Sequence, residues 1–322
     1  MDQPAFLKNF FSFIRLIRFI NLFFIALTQF LVQYTIIKPI LAQAGVPPTL
    51  EHLNFFLLVL STMLIAAAGY IINDYFDVKI DAINKPGRIF IDRTIRRRTA
   101  ILLHQFMTGI GVLLAFYVAW KSGNIRLGLI HPIVAGLLWF YSTGHKKAQM
   151  LVGNIVVSFL SAFIIMIVAL YERELFQPSN ADVNAAAYTI FILIFFYFLF
   201  AFLISLAREL VKDMEDLKGD AEYGSRTLPI IIGVKSTKII VSLIIGLILC
   251  FLIYLQFRQA SSGDYISVLH LFTTLEVPLG IAIYLLNKAD SQKQFSLVSS
   301  VIKIAMLMGI LTMLYFYYLI FQ

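Results

Sequence analysis

The sequence predicts an all-α membrane protein that crosses the bilayer nine times. Composition is the first indication, because hydrophobic residues make up 60% of the 322 residues and charged residues only 14%. A typical soluble domain contains about 25% charged residues. The second indication is a series of apolar stretches, each close to the ~20 residues that a helix needs to cross a bilayer.

Nine such stretches follow one another along the chain, and the fourth is the shortest. They cover about residues 16–37, 54–75, 100–120, 127–144, 151–170, 187–207, 237–256, 266–286 and 297–320. The first is too long for the core of a signal peptide and lacks a cleavage site of small residues, so it predicts a retained helix. The sequence has no linker long enough to separate soluble domains. We therefore expect one membrane domain over residues 1–322.

Lysine and arginine indicate the orientation, since cytoplasmic loops of membrane proteins carry an excess of both. With the N-terminus in the cytoplasm, 20 of them fall on the inner side and five on the outer side, while Lys303 lies within a span. This distribution predicts an external C-terminus and a location in the cell membrane. It also explains the net charge of +8 without nucleic-acid binding, and nothing in the sequence predicts an obligate protein partner.

Acidic residues form two matched groups at the cytoplasmic ends of the second and sixth spans. Asp74, Asp77 and Asp81 are spaced i, i+3, i+7 in the stretch NDYFDVKIDAINKPGR. This spacing places them on one face of a helix. The stretch RELVKDMEDLKGD repeats the spacing at Asp213, Asp216 and Asp220. The five histidines are scattered, so a metal site built from histidine is not expected.

Two interpretations of these aspartates are open. They can mark the membrane–water boundary and pair with nearby Lys and Arg, or they can bind a cation. Like charges on one face repel, and partial burial increases the repulsion, so two matched groups favour bound cations. Carboxylates suit Mg²⁺, which shares its coordination sphere with substrate phosphates. Several basic residues near both groups suit phosphate oxygens: Lys85, Arg88, Arg208, Lys212 and Arg226.

These features predict a metal–diphosphate site where an apolar helix bundle opens to the cytoplasm. An isoprenyl diphosphate matches it, with a diphosphate at one end and a hydrocarbon chain at the other. Mg²⁺ and the basic residues would neutralise the leaving diphosphate and favour ionisation of the allylic C–O bond. The allylic cation needs a dry cavity, and aromatic rings can stabilise it through cation–π attraction.

Two stretches resemble the motifs of the UbiA superfamily of intramembrane prenyltransferases. The family pattern NDxxDxxxD matches Asn73, Asp74, Asp77 and Asp81, and the pattern DxxxD matches Asp216 and Asp220. The stretch RLIRFIN resembles the start of the family, and YSTGHKK resembles its Tyr followed by a basic residue. The resemblance covers the chain from about residue 12. It implies nine helices around a central apolar cavity, dependence on Mg²⁺, and transfer of a polyprenyl group to an acceptor.

Within the superfamily, both motif regions are most similar to the branch of geranylgeranylglyceryl-phosphate geranylgeranyltransferases and chlorophyll synthases. This similarity implies a geranylgeranylglyceryl phosphate acceptor, and an aromatic quinone or pigment precursor is the alternative. The sequence departs from that branch after Arg88, where IFIDRTIRRR replaces a Pro-Ile-Pro-Ser-Gly-like stretch. Acceptor choice is therefore open at this loop.

The resemblance also implies roles for individual residues. Asp74, Asp77 and Asp81 would hold one Mg²⁺, and Asp216 and Asp220 a second. Asp213 would take the proton of the acceptor, and Tyr141 and Lys146 would complete the catalytic set. The substrate-binding residues would be Asn21, Asn73, Lys85, Arg88, Asn154, Arg208 and Lys212.

Structural roles remain open for several of these residues. Lys146 and Lys147 can serve topology alone, and Tyr141 can be an interfacial anchor. Asn21 and Asn154 can be hydrogen-bond partners between helices. Glu209 is expected to pair with a neighbouring base, Arg208 or Lys212, and not to bind metal.

Other functional classes fit the sequence less well. A transporter would carry charges through the full membrane thickness and show broken helices near the midplane, but only Glu276 and Lys303 lie deep within spans. A scaffold would not need two matched acidic groups. A lipid diphosphate phosphatase would need a nucleophile or a metal-bound water.

Overall fold

The computed structural model describes residues 5–143 and 151–321, and these residues are almost entirely helical. We number the helices in chain order. They are α1 (Ala5–Leu16), α2 (Phe19–Gln43), α3 (His52–Asn84), α4 (Arg97–Lys121), α5 (Ile130–Ser142), α6 (Val152–Leu170), α7 (Ala181–Glu215), α8 (Leu217–Glu222), α9 (Leu228–Ile232), α10 (Val234–Ser261), α11 (Tyr265–Lys288) and α12 (Gln292–Phe321).

Nine helical segments among the described residues are long and apolar enough to cross a membrane: α2, α3, α4, the segment Ile125–Ser142 that contains α5, α6, α7, α10, α11 and α12. This confirms the number predicted from the apolar stretches. Each lies over its predicted stretch, and most extend beyond it. The extension of α3 carries Asp77 and Asp81 and that of α7 carries Asp213, because helical hydrogen bonding continues past the apolar residues.

The first span begins three residues after the predicted start at about residue 16. The chain breaks between α1 and α2, where Arg18 has φ 51° and ψ 52°. This left-handed conformation cannot continue a right-handed helix. The first span therefore begins at Phe19 and continues to Gln43, and α1 is a separate helix before it.

Among the described residues, two spans contain a π-helical turn, at Val32–Ile37 in α2 and at Phe272–Glu276 in α11. Such a turn widens the helix by one residue and often occurs at a functional position. A polar side chain lies on each turn, Gln33 on the first and Glu276 on the second.

The chain divides into two compact units. The first contains the described residues of Met1–Lys147 and Phe163–Phe195. Its α3 packs along α4, and the two helices approach closely at Gly111, where an added Cβ would lie 3.2 Å from the carbonyl oxygen of Ser61. The Ser61 hydroxyl donates to the Gly111 carbonyl at 2.6 Å. Small residues at such contacts let two membrane helices approach closely.

The second unit contains the described residues of Ala148–Ala162 and Phe196–Gln322. Its core is formed by apolar side chains of the C-terminal half of α7 and of α10, α11 and α12. Leu210, Val241, Ala282 and Val298 are fully buried there. The single membrane domain expected over residues 1–322 stays a prediction.

Candidate functional site

The first acidic group lies near the C-terminal end of α3. Ile71 and Ile72 are fully buried on the preceding turn, whereas Asp74, Asp77 and Asp81 are half-buried. The apolar residues therefore anchor this part of the helix and leave the acidic face accessible. The side-chain amide of Asn73 donates to Oδ2 of Asp77 at 3.0 Å. The i, i+4 spacing of a helix places these two residues side by side.

Arg18 contacts the same group from the break between α1 and α2. Its Nη2 lies 2.8 Å from Oδ1 of Asp74, and its guanidinium lies 4.9 Å from the centre of the Tyr70 ring. Asp74 and Tyr70 are four residues apart on α3, so one arginine contacts two successive turns. The sequence did not single out Arg18, so this contact was missed.

The loop after α3 is anchored to the first unit. Lys85 ends the helix with φ −142° and ψ 60°, and its N–H still bonds to the carbonyl of Asp81 at 2.8 Å. Ile91 is only 1% exposed. Nε of Arg97 pairs with Oδ2 of Asp92 at 2.7 Å. The stretch that departs from the branch pattern therefore has a defined conformation.

The second acidic group lies where α7 ends. Asn154 of α6 donates from Nδ2 to Oδ2 of Asp213 at 2.8 Å. Two residues that were predicted separately are therefore brought together. Asp216 has φ −94° and ψ 5° and interrupts the helix. Asp220 consequently lies on the separate helix α8, and the expectation of one continuous helical face for this group is wrong.

Glu209 is the partner of two predicted phosphate ligands. Its carboxylate accepts from Nζ of Lys212 at 2.9 Å and from Nη1 of Arg208 at 3.3 Å. This confirms the expected pairing of Glu209 with a neighbouring base. Both bases therefore hold a carboxylate partner, and their role toward phosphate stays a prediction.

The other predicted site residues lie at helix ends, in a turn or outside the described part of the chain. Lys146 lies outside the described residues, as does Lys147. Tyr141 is half-buried on the last turn of α5, and Asn21 is half-buried on the first turn of α2. The backbone of Arg88 forms part of the 3₁₀ turn Pro86–Arg88.

The acidic groups fit Mg²⁺ through their donor chemistry and not through a preformed cage. Within residues 5–143 and 151–321, no three His, Cys, Asp or Glu side chains converge closely enough to hold a metal ion by themselves. Mg²⁺ differs from Ca²⁺ in this respect, since it is usually bound through one or two carboxylates together with substrate phosphates and water. Half-buried aspartates beside basic side chains provide this kind of incomplete site.

Glu172 is a carboxylate of the first unit that the sequence did not single out. It lies between α6 and α7 and is fully buried. Its oxygens accept from Nε2 of Gln33 at 3.1 Å and from the backbone N–H of Thr49 at 2.6 Å. The N–H of Leu50 donates to it at 3.4 Å. Burial raises the pKa of Glu172, and these hydrogen bonds oppose the increase without cancelling it.

A signal for this carboxylate was present in the sequence. Gln29 and Gln33 lie one turn apart on α2, within a largely apolar span. Polar side chains inside a membrane helix need partners. Nε2 of Gln29 donates to the Thr62 hydroxyl and to the Ile164 carbonyl, both at 3.3 Å. Two amides on one helix face were therefore a reason to expect a buried acceptor.

The sequence matches one protein family over most of its length. The model of the UbiA prenyltransferase family matches residues 31–319. A digeranylgeranylglyceryl phosphate synthase of Pyrococcus horikoshii is 32% identical over 65% of this chain and 66% of its own length, just under two thirds. A protein of the same name from Methanothermobacter thermautotrophicus is 31% identical over 79% of this chain and 82% of its own length.

Solved structures share the fold. A digeranylgeranylglyceryl phosphate synthase structure superposes with a TM-score of 0.61 at 21% identity and covers 96% of this chain and 99% of its own. A UbiA homologue of Archaeoglobus fulgidus, solved with DMAPP and Mg²⁺, superposes with a TM-score of 0.55 at 15% identity. It covers 92% of this chain and 98% of its own. At these identities the likeness shows the fold alone.

Proposed function

Because this chain belongs to the UbiA prenyltransferase family, and is therefore an integral membrane prenyltransferase, we propose that it transfers a polyprenyl group from an isoprenyl diphosphate to geranylgeranylglyceryl phosphate. The observation that carries the proposal is the row of half-buried aspartates on α3, which presents oxygen ligands at the end of a membrane helix. Relatives named digeranylgeranylglyceryl phosphate synthase support the choice of acceptor.

The acidic groups would hold Mg²⁺. Asp74, Asp77 and Asp81 would bind one ion, and Asp216 and Asp220 a second. Bound to a diphosphate, Mg²⁺ supplies positive charge that stabilises the leaving group. The A. fulgidus homologue solved with DMAPP and Mg²⁺ supports this assignment. Asn73 orients Asp77 through its hydrogen bond of 3.0 Å.

Proton transfer would fall to Asp213. In the reaction the allylic C–O bond breaks and its electron pair leaves with the diphosphate, while a hydroxyl oxygen of the acceptor forms the new C–O bond. The acceptor must then lose its hydroxyl proton, and Asp213 would accept it. The bond from Asn154 fixes the orientation of this carboxylate. A group that acts in this way must be held within hydrogen-bond reach of its substrate.

The site would open to the cytoplasmic face of the cell membrane, with the N-terminus inside and the C-terminus outside. The support is the distribution of lysine and arginine, with 20 on the proposed inner side and five on the other. The loop after α3 is part of that basic surface, since Arg93, Arg96 and Arg98 are exposed there. The membrane lipids on that side would supply the lipophilic acceptor.

One transfer assay tests the reaction and its sidedness. Radiolabelled geranylgeranyl diphosphate and Mg²⁺ are supplied to the purified full chain in sealed vesicles, sorted into inside-out and right-side-out fractions. The acceptors are geranylgeranylglyceryl phosphate or a panel of quinone-precursor aromatics. We expect label in the glycerol phosphate lipid, in inside-out vesicles, and only without EDTA. An Asp290→Asn variant is the matched control, since the Asp290 side chain is 89% exposed and remote in sequence from both acidic groups.

Each part of the assay has a result that would contradict the proposal. Label found only in an aromatic ring would replace the proposed acceptor by a quinone or pigment precursor. Turnover that is indifferent to EDTA would remove the role of Mg²⁺. Turnover confined to right-side-out vesicles would reverse the orientation.

A further inference from the structure

Arg18 occupies an unusual position beside the first acidic group. It is one of two non-glycine residues with positive φ among the described residues. The left-handed conformation is energetically unfavourable for an L-residue, because its Cβ comes too close to the following carbonyl oxygen. Backbone strain of this kind persists only where surrounding contacts enforce it, and it is often found at functional sites.

The strained conformation has a visible result. It turns the chain between α1 and α2, and the Arg18 side chain then reaches α3. Nη2 lies 2.8 Å from Oδ1 of Asp74, and the guanidinium also rests over Tyr70. The packing of Leu16 and Ile17, which are almost fully buried beside Ile71, holds the turn in place.

The contact affects what Asp74 can do as a ligand. The Asp74 side chain is 17% exposed and that of Arg18 is 37% exposed, so solvent screens their interaction only in part. A carboxylate oxygen that accepts a charge-assisted hydrogen bond has part of its negative charge compensated. A divalent cation at the same carboxylate would stand close to the guanidinium, and like charges at such distances repel.

We propose that Arg18 is a resident competitor for the first acidic group: it neutralises Asp74 through a strained turn and thereby weakens the binding of Mg²⁺ to α3. The inference rests on the proposed function, in which these aspartates hold Mg²⁺. Arg18 acts through Asp74 and is a positioning residue. Because Arg18 neutralises Asp74, Mg²⁺ alone binds weakly to the first acidic group. The additional negative charge of a diphosphate is needed for Mg²⁺ to occupy it.

The test measures metal binding in the absence of substrate. The full chain, purified in detergent and carrying Asp216→Asn and Asp220→Asn so that only the α3 group is measured, is titrated with MgCl₂. The concentration that gives half of the maximal thermal stabilisation reports apparent affinity. Arg18→Asn is the informative variant, because Asn tolerates the left-handed conformation and removes the charge. We expect it to tighten Mg²⁺ binding about fivefold, equivalent to about 1 kcal/mol, the upper range for a partly exposed ion pair.

Two further variants separate charge from structure. Arg18→Lys retains the charge and should bind Mg²⁺ with an affinity near that of the parent chain. Arg15→Gln removes an exposed positive charge from the end of α1 and should leave the affinity unchanged. Affinity that is unchanged or weaker in Arg18→Asn overturns the competitor role while leaving the Mg²⁺ proposal intact. If Mg²⁺ stabilises neither the parent chain nor Arg18→Asn, both proposals are overturned.

Discussion

Asp77 and Glu172 are carboxylates of the same compact unit, and they are held by different kinds of donor. Asp77 is half-buried and accepts from the side chain of Asn73. Glu172 is fully buried and accepts from the backbone N–H groups of Thr49 and Leu50 as well as from Gln33. A side chain can rotate away from a carboxylate, but a backbone N–H can do so only if the chain itself moves.

The difference separates a binding role from a structural one. The oxygens of Asp77 can exchange one partner for another, as a ligand must. The oxygens of Glu172 join the segment after α2 to the segment after α6 inside the first unit, and exchange would leave buried N–H groups without an acceptor. Such groups cost about 1–3 kcal/mol each when buried.

The largest effect is expected from Asp77→Asn. The amide keeps the size of the side chain and can still accept from Asn73, but it lacks the charge that attracts a metal ion. We expect prenyl transfer to fall at least ~100-fold, as is typical when charge stabilisation is lost at a reacting centre. The unfolding midpoint should move by less than ~2 °C.

The assay with labelled diphosphate measures the first quantity, and thermal unfolding in detergent measures the second. If Asp77→Asn lost folded protein together with activity, Asp77 would be needed for folding and would no longer contrast with Glu172.

Glu172→Ala should produce the opposite result. Removal of the carboxylate leaves the N–H groups of Thr49 and Leu50 without their acceptor. We expect the free energy of unfolding to fall by about 2–3 kcal/mol, with transfer per folded molecule unchanged. Denaturant or thermal unfolding measures the change, and Arg173→Ala is the control. Arg173 is an exposed neighbour, so its truncation should cost less than ~0.5 kcal/mol. A Glu172→Ala variant with normal stability but low activity would contradict the structural role of Glu172.

The smallest effect is the pH dependence of stability. Burial raises the pKa of Glu172 above its ordinary value of 4.5. Between the unfolded and the folded pKa, the folded state retains a proton that the unfolded state has released. The contribution of Glu172 to the free energy of unfolding is therefore fully present below pH 4.5. It is lost as the pH rises through the pKa of Glu172 in the folded state.

Glu172→Gln removes the titration and keeps the side-chain volume. Relative to this variant, the wild-type chain should lose stability as the pH is raised from mildly acidic to neutral, measured as unfolding midpoints across that range. A constant difference between the two proteins would mean that Glu172 titrates with the same pKa in both states.

The sequence could predict the features that depend on local pattern. Spans follow from the number of consecutive apolar residues, and the helical placement of Asp74, Asp77 and Asp81 follows from their spacing. The pairing of Glu209 with Lys212 was also predictable, since residues three apart on a helix are neighbours.

The remaining features depend on contacts between distant segments. No sequence pattern near Arg18 indicates a left-handed turn, because arginine avoids that conformation. The contacts around Leu16 and Asp74 stabilise the turn in the folded protein. Glu172 finds its partners more than 120 positions away. The break at Asp216 was missed because the i, i+3, i+7 spacing is the same in a continuous helix.

The π-helical turn at Val32–Ile37 has a consequence for changes in chain length. Each residue added to an α-helix rotates everything beyond it by about 100°, so a deletion in the middle of α2 would turn Lys38–Gln43 away from its neighbours. Within the turn, one residue is already in excess of the α-helical repeat. A single deletion there can restore ordinary helix while both flanking faces keep their direction. Length variation within this span is therefore expected to concentrate at the π-turn.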